Sequence, residues 1–72
     1  MLDPEKFYKK VGIKIKKLRL EKKMKQIELA YDCDFKKQTM AKIEAGKMNL
    51  TLKTLLKLSE ALNTTPSDLL DV

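Results

Sequence analysis

Apolar residues along the chain fall into five short groups, and each group repeats with the period of a helix rather than of a strand. In the first group, Val11, Ile15 and Leu18 lie on one helical face. Asp3 followed by Pro4 marks the start of this helix, because Asp is a favoured N-cap and Pro fits the first helical position. The pattern therefore predicts an amphipathic first helix.

Four shorter helices are predicted after the first. Thr51 and Thr65 stand where N-caps belong, and Asp68 is expected to complete the cap at Thr65. Gly46 and Asn63 are expected to end the two helices before these caps in the left-handed conformation. The predicted helices cover residues 4–23, 26–33, 37–45, 52–62 and 66–71 of one domain spanning residues 1–72. The predicted fold class is all-α, a compact five-helix bundle.

Two sets of apolar residues are predicted to form the core. One set joins the second and third helices: Leu29, Ala30, Phe35, Met40 and Ile43. The other is the apolar set of the fourth helix: Leu52, Leu55, Leu56, Leu58 and Leu62.

Charge is distributed unevenly along the chain, which carries 16 basic and 10 acidic residues. Residues 1–25 hold ten Lys or Arg against three Asp or Glu, whereas the remainder is close to neutral. A basic segment of this kind suits a polyanion that docks on one side of the protein, although a solvated helix surface would have the same composition.

The residue inventory argues against an enzyme. There is no His, no Gly-rich phosphate loop and no metal-ligand cluster, and Cys33 has no His partner or motif. We therefore expect no cofactor, no metal and no small-molecule substrate. A single Cys and the lack of an apolar run of about 18 residues predict a cytoplasmic location without membrane insertion.

Several segments together resemble the Cro/C1-type (XRE-like) helix-turn-helix family of phage-repressor-like DNA-binding domains. Residues 26–30, Gln-Ile-Glu-Leu-Ala, are similar to the start of its second helix, and residues 39–47 to its recognition helix and exit. Residues 51–62 and 65–70 are similar to its last two helices. From Val11 the likeness covers about 60 of the 72 residues without a gap, and the motif Gln-x-x-Leu-Ala is followed fourteen residues later by Glu-x-Gly.

The resemblance implies a lambda-repressor-like fold and sequence-specific binding of double-stranded DNA by a transcriptional regulator that is not an enzyme. Its recognition helix would lie in the major groove. The base-reading positions would be Lys37, Gln38, Ala41 and Lys42. The phosphate contacts would come from Gln26, which also braces the next helix, and from Lys25, Lys36, Thr39 and Arg19. Arg19 would in addition form a structural ion pair with Glu44.

Three residues depart from the pattern of the family. Lys25 and Lys36 stand where the family has capping Ser or Thr, and we interpret both as residues that exchange a cap for a phosphate contact. Asp34 stands where the family has Gly in the turn. It either accepts the left-handed conformation or replaces the missing cap, which leaves the start of the recognition helix open by a residue or two.

One recognition helix covers few base pairs, so a homodimer on a palindromic operator is expected. The candidate dimer surfaces are Leu50, Leu69, Leu70 and Val72. Such a regulator would act in the cytoplasm of a bacterium, as a bacterial or phage-encoded protein, and join the nucleoid when bound. The alternative is a protein-interaction module of the same fold, an antitoxin or regulator-binding domain with little DNA binding, which could use exposed Leu20 or Ile27.

Overall fold

The computed structural model describes residues 3–72, and this part of the chain folds into five helices without a strand. The helices are α1 (Pro4–Glu21), α2 (Gln26–Asp32), α3 (Lys37–Glu44), α4 (Leu52–Ala61) and α5 (Pro66–Leu70). The all-α, five-helix prediction is confirmed. Each helix begins at its predicted residue and ends one or two residues before its predicted end.

The predicted caps explain three of the five helix starts. The Asp3 carboxylate accepts from the Glu5 N–H at 3.0 Å, and the Thr51 hydroxyl accepts from the Thr54 N–H at 3.1 Å. The Thr65 hydroxyl accepts from the Asp68 N–H at 3.1 Å. These acceptors satisfy N–H groups that the first helical turn leaves without a partner.

The side chain of Asp68 does not take the capping role predicted for it. Its Oδ2 accepts from the Thr64 hydroxyl at 2.7 Å, and its Oδ1 lies 3.5 Å from the Lys14 ammonium. The hydrogen bond from Thr64, followed by the charge of Lys14, lowers the pKa of Asp68. Asp68 therefore connects α5 to α1 instead of completing a cap.

Between residues 3 and 72, four residues adopt positive φ at or just after the end of a helix. Gly46 (71°) and Asn63 (54°) do so as predicted, and Asp34 (58°) adopts the left-handed alternative rather than that of a cap. Lys23 (57°) was not predicted, and its long side chain gives no sequence signal for this conformation. Lys23 lies in the turn between α1 and α2.

All five helices contribute side chains to the core. It contains Val11, Ile15, Leu29, Ala30, Cys33, Met40, Ile43, Leu55, Leu58, Leu62 and Leu69. Phe35 is partly buried against this cluster. Burial first, and then the charge of Asp32, raises the pKa of the Cys33 thiol to about 11.

Three leucine predictions are wrong. Leu52 and Leu56 were expected in the core but are 80% and 54% exposed. The inward positions of α4 are Leu55, Leu58 and Ser59, and the buried Ser59 donates its hydroxyl to the Leu55 carbonyl at 2.7 Å. Leu69 was expected at a dimer surface but is fully buried, so it is unavailable to a partner.

Candidate functional site

The site is built on α2 and α3, which are joined by the turn of residues 33–36. The Phe35 N–H donates to the Ala30 carbonyl at 2.8 Å and closes this turn. Met40 and Ile43 are buried on the inner face of α3. The opposite face of α3 is therefore turned away from the protein.

An ion pair in the interior holds the carboxyl end of α3. Arg19 Nε lies 2.7 Å from Glu44 Oε2, and Arg19 Nη2 lies 3.1 Å from Glu44 Oε1. The two residues are only 7% and 8% exposed. A planar guanidinium can bind both carboxylate oxygens at once, which a Lys ammonium cannot do. The pair fixes the end of α3 relative to α1.

Each member of the ion pair forms one further hydrogen bond. Arg19 Nη1 donates to the Met24 carbonyl at 2.7 Å, and Gln26 Nε2 donates to Glu44 Oε1 at 3.2 Å. Gln26, the first residue of α2, therefore braces α3 through Glu44. The Met24 bond was not anticipated, because a side-chain bond to a loop carbonyl leaves no mark in the sequence.

The structural role of Arg19 is visible in the geometry. Its Nε, Nη1 and Nη2 atoms each donate one hydrogen bond to an acceptor within the protein, and its side chain is buried. A guanidinium has five N–H groups, so only two remain for a phosphate. The phosphate contact of Arg19 stays a prediction.

Two glycines bring the backbone of α1 close to the end of α3. A Cβ atom on Gly12 would lie 2.6 Å from the carbonyl oxygens of Ile43 and Glu44. A Cβ atom on Gly46 would lie 2.5 Å from the Cα of Lys9. No side chain fits at either contact, and neither contact was predicted.

The residues expected to read bases all lie on the outer face of α3. Lys37, Gln38, Ala41 and Lys42 are exposed, and Thr39 is partly buried. None of the three functional groups at Lys37, Gln38 and Lys42 is bonded to another side chain within residues 3–72. The face thus presents two cations and one amide, which can bind anionic or hydrogen-bonding partners.

Both N-caps at the site are lysines. Lys25 precedes α2 and Lys36 precedes α3, and both are exposed without a capping hydrogen bond from the side chain. Glu28 compensates in part, since its Oε1 accepts from the Lys25 N–H at 2.8 Å. A glutamate three residues after the N-cap is the sequence signal for this bond. Lys25, Gln26 and Lys36 form what we call the amino-end cluster, because each stands at the start of α2 or α3.

Other surfaces offer less chemistry. Leu20 and Ile27 are about half exposed, as the alternative of a protein-interaction module requires. Within the described residues, no three potential metal ligands come together. In residues 3–72, too, every helix is too short or too polar to cross a membrane.

Three comparisons relate the chain to known proteins. The Cro/C1-type HTH DNA-binding domain matches residues 14–72. Control protein C.BamHI of Bacillus amyloliquefaciens is 41% identical over 61 residues, which are 83% of this chain and 75% of that protein.

The solved structures include two restriction-modification controller proteins. C.AhdI from Aeromonas hydrophila has a TM-score of 0.83 at 31% identity, covering 86% of this chain and 94% of that one. Wild-type C.Esp1396I has a TM-score of 0.79 at 34% identity, covering 89% of this chain and 86% of that one. The likeness thus extends from sequence to fold.

Proposed function

Because the chain belongs to the Cro/C1-type helix-turn-helix DNA-binding domain family, which consists of transcriptional regulators and not of enzymes, we propose that it binds a specific operator. In this proposal α3 lies in the major groove of double-stranded DNA, which is wide enough for one helix. The observation that carries the proposal is the outer face of α3, where Lys37 and Gln38 are exposed while Met40 and Ile43 anchor the inner face.

The four residues of the outer face have distinct roles in base reading. Gln38 pairs with the hydrogen-bonding edge of adenine, and Lys37 donates to the acceptors of guanine. Ala41 contacts a thymine methyl group, and Lys42 reaches a base or phosphate one step around the helix. Because Ala41 has no polar atom, fewer hydrogen bonds distinguish bases at its position.

The amino-end cluster binds phosphates in this proposal. Lys25 and Lys36 supply positive charge, and Gln26 supplies an amide at the start of α2. Thr39 offers its hydroxyl from the first turn of α3. A cation at a helix start opposes the helix dipole, and a capping residue in its place would stabilise the protein by about 1 kcal/mol. The lysines at these two helix starts therefore lower the stability of the protein, which supports a role for them in binding DNA.

Substitutions in the amino-end cluster and in the base-reading residues should affect DNA binding in different ways. Lys36→Ser should weaken binding to every duplex and reduce the slope of log affinity against log salt by about one unit. Gln38→Ala should leave that slope intact and relax the base preference at one position. Titration of selected and random duplexes at several salt concentrations measures both quantities. An unchanged slope for a folded Lys36→Ser protein would remove the phosphate role.

We extend the proposal to a homodimer on a palindromic operator, with half-sites about 34–36 Å apart. Leu52 and Leu56 lie one turn apart on α4 with exposed side chains, and Leu70 and Val72 are partly exposed near the carboxyl terminus. We propose these four residues for the dimer face. Leu52 and Leu56 replace Leu69, which the sequence predicted for that face but which is buried. Selection of bound duplexes from a random pool tests the half-site and its symmetry together.

The relatives favour one biological role among several. C.AhdI and C.Esp1396I are restriction-modification controller proteins, and we propose the same role for this chain, acting in the bacterial cytoplasm. The alternative, a module that binds proteins through Leu20 and Ile27, predicts no salt-dependent binding to duplex DNA. Titration of a random duplex at two salt concentrations separates the two functions.

A further inference from the structure

A lysine of α4 lies against the turn that precedes α3. The Lys57 ammonium is 5.6 Å from the centre of the Phe35 ring, within the distance of about 6 Å at which an aromatic face attracts a cation. Both side chains are partly buried, and within residues 3–72 Lys57 forms no ion pair with an acid. The ring of Phe35 is therefore the contact that the structure gives to this charge.

A second residue of the same turn also lies near the charge of Lys57. Burial and then Asp32 raise the pKa of the Cys33 thiol, whereas the charge of Lys57 lowers it. Cys33 and Phe35 both belong to the turn of residues 33–36. The proximity of Lys57 to Cys33 agrees with the distance from its ammonium to the Phe35 ring.

The position of Phe35 determines where α3 begins. Phe35 follows Asp34, whose φ is 58°, and only Lys36 separates it from the first residue of α3. Its N–H donates to the Ala30 carbonyl at 2.8 Å, which ties the turn to α2. A displacement of Phe35 would therefore move the start of α3 and with it Lys36, a member of the amino-end cluster.

The backbone of α4 gives Lys57 a fixed starting point. Lys57 follows the exposed Leu56 and precedes Leu58, which is fully buried in the core. The helix as a whole packs against α2 and α5. Lys57 thus extends from a helix that the core holds in place to the turn before α3.

We propose that Lys57 is a positioning residue for DNA binding, which holds Phe35, and through it the start of α3, by a cation–π contact. This inference rests on the proposed function. It gives a role in DNA affinity to a residue of α4 that contacts neither base nor phosphate.

Two simpler roles would also place a lysine here. The methylene stem of Lys57 covers apolar surface whether or not its charge contributes. In that case Lys57→Met, which retains an apolar side chain of similar length, should bind DNA like the wild-type protein. Alternatively, the ammonium binds a phosphate directly, and Lys57→Met should then reduce the slope of log affinity against log salt by about 0.9.

Titration of duplex DNA at several salt concentrations separates these roles. Lys57→Met should weaken binding to selected and random duplexes by about two- to fivefold, which corresponds to one exposed cation–π contact, and should leave the slope unchanged. Lys57→Arg should bind like the wild-type protein, because a guanidinium also lies over aromatic faces. Lys53→Met is the matched control, because it removes the same charge from an exposed residue one turn earlier on α4.

The partner ring provides a second test. Phe35→Leu retains an apolar side chain but removes the aromatic face, so the addition of Lys57→Met should weaken binding no further. Urea unfolding and sedimentation verify that each variant is folded and keeps the wild-type oligomeric state. The proposal is overturned if Lys57→Met binds like the wild type, lowers the salt slope, changes the oligomeric state or weakens binding equally in both backgrounds. An equal effect of Lys53→Met overturns it as well.

Backbone amide signals of the free protein give a readout that does not depend on DNA. The signals of residues 33–36 should shift in Lys57→Met and stay at their wild-type positions in Lys53→Met. Unshifted signals in Lys57→Met overturn the proposal even if Phe35→Leu is too unstable to use. If the wild-type protein does not bind duplex DNA, the proposed function fails, whereas the amide signals still show whether Lys57 holds the turn.

Discussion

Arg19 and Glu44 illustrate how a buried charge depends on its partner. Glu44 is 8% exposed, and its carboxylate accepts from both Arg19 and Gln26. Removal of one partner from such a pair leaves a charge in the interior, which costs more than the pair itself contributes. The ion pair is therefore better understood as a positioning element for α3 than as a large source of stability.

We expect Arg19→Met to lower the free energy of unfolding by about 3–5 kcal/mol, because Glu44 is left without its cation. The double change Arg19→Met/Glu44→Met should recover most of this loss, since no unpaired charge remains. Urea unfolding of the three proteins measures the difference. A double variant no more stable than Arg19→Met would contradict the explanation.

At the residue scale, the sequence predicted which residues take part in the site better than it predicted their hydrogen bonds. The resemblance paired Arg19 with Glu44, and the structure contains that pair. The same resemblance gave Arg19 a phosphate contact but no bond to the Met24 carbonyl, which the structure shows as its third hydrogen bond within the protein. A sequence pattern can predict which residues are in contact, but it does not predict how many hydrogen bonds each residue forms.

At the scale of elements, the backbone of α1 comes close to the end of α3 at Gly12. Gly12 is buried in the middle of α1, where Ala would normally be the better helix former by about 0.5–1 kcal/mol. The carbonyl oxygens of Ile43 and Glu44 occupy the space that a side chain would need. Gly12 therefore sets the distance between α1 and α3.

Gly12→Ala should destabilise the protein by about 1–3 kcal/mol despite its higher helix propensity, because backbone atoms must move to admit the methyl group. Binding to duplex DNA should weaken as well, since the displaced atoms belong to α3. Ile13→Ala is the control, because Ile13 is exposed on the same helix and its loss should change stability by no more than about 0.5 kcal/mol. Thermal unfolding and duplex titration of both variants provide the measurements. Equal behaviour of the two proteins would show that the contact is dispensable.

Helix starts were predictable and helix faces only in part. Caps such as Asp3 and Thr51 act within a few residues, so the local sequence determines them. Burial of the α4 leucines depends on where α2 and α5 lie against that helix. The spacing of the leucines alone does not show which of them face these two helices. The contact of Gly12 with α3 could not be predicted either, because it joins residues that are far apart in the sequence.

At the scale of the whole molecule, the exposed leucines of α4 bear on assembly. A change of Leu56→Glu should produce a monomer in sedimentation at micromolar concentration and weaken binding to a two-site palindrome, because a charge would be buried in the dimer face. Ile13→Glu serves as the control, since Ile13 is 65% exposed on another helix. A wild-type protein that sediments as a monomer with and without palindromic DNA would rule out the dimer.

Burial of the Cys33 thiol has a practical consequence. With its pKa at about 11 instead of 9.0, Cys33 holds about a hundredth of the thiolate of a free cysteine, and its side chain is shielded from reagents as well. An alkylating reagent should modify it only in molecules that have opened. The rate of modification then counts those openings, so the protein carries a natural reporter of its own fluctuations and needs no added label.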